Sequence, residues 1–120
     1  MAPEPVERLP LSLPVFQILL SLLPGPMHGY AILTDIQGRS DTSVELGAGT
    51  LYAAIRRMLD AKMIEECAAP SDEESSDSRR KYYRVTEHGR DVARAEARRV
   101  HSLAALAVDR LHLAPNLGKA

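Results

Sequence analysis

Tryptophan is absent from this 120-residue chain, phenylalanine occurs once (Phe16) and cysteine once (Cys67). A lone cysteine rules out an internal disulfide and any cysteine-based zinc knuckle. So few flat rings leave little material for an aromatic sandwich around a planar ligand. Long hydrophobic runs are missing too. The best stretch, residues 13–23, is interrupted by Pro14, Gln17 and Ser21, well short of the roughly 20 apolar residues that span a bilayer. The first ten residues carry Glu4 and Glu7 and no basic start, so no secretory leader is expected and a cytoplasmic location is. Serines and histidines occur without a nucleophile motif, a phosphate loop or a carboxylate pair, so no enzyme is expected. His88, His101 and His112 share no ligand spacing with one another or with Cys67, and neither metal nor cofactor is expected.

An excess of either charge is also missing. Lys and Arg total 15 and Asp and Glu 16, a formal net charge of −1. Taken alone, that argues against a nucleic-acid partner, but the distribution does not. Residues 1–46 hold two basic and five acidic side chains, and residues 47–70 balance at three each. Residues 71–78 carry four acids (Asp72, Glu73, Glu74, Asp77) and no base, whereas residues 79–120 carry ten bases and four acids. Fields screened within about 10 Å respond to this local placement more than to the sum.

Residues 1–12, with Pro3, Pro5 and Pro10, read as an extended, mobile arm. Pro14 suits a first helical turn, Val15, Ile18, Leu19, Leu22 and Leu23 recur at helical spacing, and Pro24-Gly25-Pro26 stops the segment. A second short helix, begun by His28 and running through Leu33 and Ile36, ends near Gly38, with Tyr30 expected to pack between the first two helices. Residues 40–46 read as a loop with a short extended end. Gly47-Ala48-Gly49 opens a third helix with a core stripe of Leu51, Ile55, Met58, Leu59 and Met63. Residues 64–68 and 81–85 can pair as strands around a polar tip at residues 70–78. Alternation puts Tyr83 and Val85 on the core face, and Tyr82 and Arg84 on the other. Cys67 reads as a small, half-buried hydrophobe on the first strand. Thr86 is the expected N-cap of a long last helix, whose stripe runs through Val92, Ala95, Arg99, Val100, Leu103, Leu106, Ala107 and Leu111.

Three helices, a two-stranded hairpin and a long helix make a mainly α fold of winged helix-turn-helix type, with a C-terminal dimerisation helix. The expected divisions are a 1–12 arm, a 13–85 winged-helix domain and an 86–120 helix and tail. The third helix has a small outer face of Thr50, Tyr52, Ala53, Arg56, Arg57 and Asp60, and fits a major groove about 12 Å wide. Gly47 and Gly49 let backbone N–H groups approach a phosphate. Arg79, Arg80 and Lys81 stand where a wing neutralises phosphates. Arg56 and Arg57 lie about 100° apart around the helix, so one reaches DNA while the other is open to pairing with Asp60 or Glu45. The last helix carries more apolar surface than a body of this size covers, which points to a second copy of the chain. Arg90, Arg94 and Arg98 form a solvent-facing or phosphate-near stripe.

The blocks His28-Gly29-Tyr30-Ala31-Ile32, Gly49-Thr50-Leu51-Tyr52 with Arg56-Arg57-Met58-Leu59, and residues 80–90 (RKYYRVTEHGR) resemble the successive signatures of PadR-type transcriptional regulators. The resemblance covers roughly residues 12–100. It implies a bacterial homodimeric repressor of the small subgroup with one C-terminal helix, which packs on the partner's first helix. It also implies operator DNA as the partner, contacted through Gly49, Thr50, Tyr52, Arg56, Arg57, Arg79, Arg80 and Lys81. Dimerisation would run through Val92, Val100, Leu103, Leu106 and Leu111, and a small-molecule effector could act between subunits. Two departures stand out. The family's prolines flanking Gly-Thr-Leu-Tyr are Ala48 and Ala53 here, and the wing is unusually acidic ahead of its basic run. The other reading of the same residues is a winged-helix adaptor that uses its acidic wing on a basic protein partner and does not bind DNA.

Overall fold

The computed structural model describes residues 9–39, 46–70 and 80–114. The elements follow in the order α1 (Leu13–Leu22), β1 (Met27–His28), α2 (Gly29–Gln37), α3 (Ala48–Asp60), β2 (Ile64–Cys67), β3 (Tyr82–Val85) and α4 (Glu87–Leu111). Each helix forms where its apolar period indicates, except that α3 ends at Asp60, so Met63, expected on its stripe, joins the core from beyond its end. Pro14 sits in the first turn of α1, whose buried stripe includes Val15, Ile18, Leu19 and Leu22. Leu51, Ala54, Ile55 and Met58 face inward from α3, and Val92 and Ala93 from α4. With Ile32 and Ile36 from α2 and Ile64 from β2, they build one core.

The sheet has three strands, not two, in the order β1-β3-β2 and antiparallel throughout. β1 escapes the sequence reading because two residues carry no period. Their pairing (Met27 opposite Tyr83, His28 opposite Tyr82) is set by a segment far along the chain. The extra strand makes β3 central, with Tyr83 in the core as alternation predicts and Tyr82 against His28. Tyr82 and Tyr83 are both buried, because the His28 ring stands edge-on to Tyr82 at 5.3 Å while Tyr83 joins the core. Tyr30, expected between the first two helices, is instead 65% exposed. Gly29, Ile32 and Ile36 form the inward face of α2, and Tyr30 falls on the other side.

The joint between wing and α4 is tightly bonded. Thr86 caps α4 as expected, its Oγ1 accepting from Gly89 N at 3.0 Å while donating to Lys62 O at 2.6 Å. Its own N–H donates to Met63 O at 3.0 Å. Elsewhere, Arg39 bridges Gln17 and Ser21 of α1 to Asp35 of α2. Glu96, buried on α4, accepts from Leu11 N and from Arg99, and the guanidinium holds its carboxyl below the usual range. Arg90 donates to Leu23 O at the end of α1, so it is a structural tie, whereas Arg94 pairs with Asp91 and Arg98 is exposed.

Candidate nucleic-acid interface

α3, with Gly47 at its N-cap, presents Gly49, Thr50, Tyr52, Ala53, Arg56, Arg57 and Asp60 outward. Its glycines have ordinary φ values, and a Cβ at Gly47 or Gly49 would meet nothing within 4 Å, so what they leave is open surface at a helix N-terminus. Arg56 and Arg57 have no ion-pair partner among the described residues. Neither joins Asp60, and Glu45 lies outside those residues. Arg56 lines a cleft of about 360 Å³ with Tyr52, Glu66, Lys81 and Tyr83, and Arg57 is not part of that lining.

Tyr52 does two things at once. Its ring is 45% exposed, yet it leans on the start of α2 so closely that a Cβ on Gly29 would stand 2.5 Å from the phenol oxygen. Beside it, a cleft of about 340 Å³ opens between α2 and the wing, lined by His28, Tyr30, Tyr52, Arg80 and Lys81. His28 caps α2, with Nδ1 accepting from Ala31 N at 3.1 Å. Its other nitrogen, Nε2, lies 3.4 Å from Arg80 Nη1. Sequence reasoning treated His28 only as the start of a helix, because Arg80 lies 52 positions away.

The wing charges are partly neutralised within the sheet. Arg84 pairs with Glu65 directly across the strands at 2.7 Å, and Lys81 reaches Glu66 at 3.5 Å. Both pairs are exposed, so a competing phosphate can replace the carboxylate at little cost. Arg79 and the acidic tip at residues 71–78 lie outside the described residues. Cys67 is half-buried, and burial pushes its thiol up, away from the reactive thiolate.

The dimerisation candidates divide. Val92 is fully buried in the chain's own core and is not available to a partner. Val100, Leu103, Leu106 and Leu111 are exposed along the outer part of α4, Leu103 by 54%, and Leu13 and Leu20 are exposed on α1. Among the described residues, no helix is long and apolar enough to cross a membrane, and no group of three or more His, Cys, Asp or Glu could hold a metal.

Comparison with known proteins places this geometry. The family model for the transcriptional regulator PadR-like family matches residues 18–95. An uncharacterized protein of Lysinibacillus sphaericus is 34% identical over 73 residues, spanning 61% of this chain and 64% of that relative. The crystal structure of a PadR family transcription regulator from Clostridium difficile R20291 superimposes with a TM-score of 0.71 at 27% identity, covering 83% of this chain and 99% of that one. Bacillus subtilis PadR, solved in complex with operator DNA, shares the fold with a TM-score of 0.60 at 17% identity, over 72% of this chain and 47% of that one.

Proposed function

The chain belongs to the PadR-like transcriptional regulator family, and from that premise we propose that it is a cytoplasmic, homodimeric repressor that occupies an inverted-repeat operator. The observation that carries this reading is the shape of one face. The outer side of α3, with Arg56 and Arg57 unpaired among the described residues, adjoins through Tyr52 and Arg56 the clefts beside the wing, where Arg80 and Lys81 stand. α3 enters the major groove, Thr50 lies nearest the base edges, Tyr52 stands at the backbone beside the start of α2, and the wing follows the adjacent backbone. Bacillus subtilis PadR, of the same fold, is bound to operator DNA.

Two chains are needed because one leaves too much covered by nothing. The exposed leucines of α4 and those of α1 form apolar surface that a second copy would bury, placing two α3 helices about one helical turn of DNA apart. A small apolar effector lodged in that interface would change the spacing and release the operator.

A salt series tests the DNA contacts. Binding to the duplex immediately upstream of its own coding sequence should weaken steeply as salt rises, and Arg80→Gln should lower the log–log slope by about 0.9 per subunit engaged. A flat salt dependence, or an unchanged slope in the variant, would overturn the wing assignment. Sedimentation tests the assembly. The wild type should be a dimer at micromolar concentration, and Leu103→Glu with Leu106→Glu a monomer that still unfolds cooperatively. A monomeric wild type would refute the two-fold reading.

A further inference from the structure

We propose that His28 is itself a DNA contact: its Nε2–H, together with Arg80 and the Tyr52 hydroxyl, grips one backbone phosphate in the cleft between the start of α2 and the wing. The inference rests on the duplex-binding reading above and adds a residue and a chemistry to it.

The argument begins with a proton count. His28 Nδ1 accepts from Ala31 N, so it carries no hydrogen. A neutral imidazole has one N–H, and here that leaves it on Nε2. Nε2 is therefore a donor, yet the group 3.4 Å away is Arg80 Nη1, which is also a donor. Two donors face one another, and among the described residues no acceptor stands between them. A phosphate oxygen placed against both satisfies each, and the charge of the guanidinium makes its bond the stronger one.

The surroundings hold this arrangement ready. His28 is paired with Tyr82 in the sheet, and its ring stands edge-on to the Tyr82 ring with an interplanar angle of 87°. The imidazole therefore belongs to two elements at once, capping α2 and resting on the wing. α2 runs for nine residues from Gly29, and its dipole favours an anion at this end. Gly29 has no Cβ, which lets the Tyr52 ring lie across the helix start with its hydroxyl in the same cleft. The occupant is a duplex backbone because the neighbouring cleft shares Tyr52, Lys81 and Tyr83 and leads directly to Arg56 on α3. A polyanion seated on α3 passes over His28.

His28→Asn isolates the Nε2 donor. Asparagine is a strong N-cap whose Oδ1 takes the place of Nδ1, so α2 should keep its cap and the variant its thermal midpoint. Its amide is too short to reach the cleft, and affinity should fall about tenfold per subunit, the factor that 1.4 kcal/mol represents. The loss should be equal on the upstream duplex and on a scrambled duplex of the same length, since phosphates carry no sequence. The salt slope should stay at its wild-type value, because a neutral donor releases no counterion. His28→Gln places an amide where Nε2 stood but caps poorly, so it should retain more affinity than His28→Asn at a lower thermal midpoint. Long-range nitrogen–proton spectra of the free protein should show the hydrogen on Nε2. An Nδ1–H tautomer, unchanged affinity in His28→Asn, or a loss confined to one sequence would each overturn the proposal. A wild type that binds neither duplex would instead sink the DNA reading on which it rests.

Discussion

Replacing Tyr52, Arg56 and Arg57 together by Phe, Gln and Gln is expected to remove operator-specific binding while leaving the fold intact. All three side chains stand on the outer face of α3, and the stripe that holds the helix in place (Leu51, Ala54, Ile55, Met58) is untouched. Exposed substitutions of this kind usually change stability by no more than about 0.5 kcal/mol each. The binding cost is far larger. An arginine that reads a guanine through two hydrogen bonds contributes about 1–3 kcal/mol of discrimination, and a second cation and a hydroxyl on the backbone add to it. The triple variant should therefore lose at least roughly a hundredfold in affinity for its operator, measured by fluorescence anisotropy on the labelled duplex. The single variants should be unequal, because Arg56 lines the cleft shared with the wing and Arg57 does not. Operator affinity that survives the triple substitution would favour the protein-adaptor reading.

The second large effect is on stability. Gly89→Ala should destabilise the protein by about 3 kcal/mol or more, lowering the thermal midpoint on the order of 10 °C. A Cβ at this position would overlap the Met63 carbonyl oxygen and stand 2.9 Å from both the Met63 carbonyl carbon and Val85 Cγ2. Met63 O cannot retreat freely, because it accepts from Thr86 N and lies 3.0 Å from Thr86 Oγ1. Relief of the clash therefore uncouples the wing from the cap of α4. Gly49→Ala is the control. Its Cβ meets nothing, so the same change there should be neutral or slightly stabilising through helix propensity. Equal midpoints for the two variants would show that the close approach at Gly89 has no energetic weight.

Much of this architecture was legible from residues alone, for a physical reason. Helices announce themselves locally: the 3.6-residue period of α1 and α3, Pro14 in a first turn and Thr86 as a cap each depend on neighbours within a few positions. The outer face of α3 follows from the same period, and so do its arginines. β1 did not, because two residues have no period and the partner that makes them a strand lies beyond two helices. Tyr30 falls outside the inward face of α2 that Gly29, Ile32 and Ile36 define, and Tyr82, on the face of β3 opposite the core, is buried beside His28. The burial of Tyr82 is decided by the element that covers it, which is β1. Val92 falls on the same stripe as Leu103, but the body of the chain covers only the first turns of α4.

The sequence by itself determined the helices, the β2–β3 hairpin, the family, and a basic second half that a net charge of −1 conceals. Period, capping and charge are short-range properties, written in adjacent residues. Only the tertiary structure decided which charges remain uncompensated and which donors converge. Glu65 and Glu66 take up Arg84 and Lys81 across the sheet, while His28 and Arg80 meet in the cleft beside Tyr52. Those meetings depend on strand register and helix packing, through which residues far apart in the chain come within reach of one phosphate.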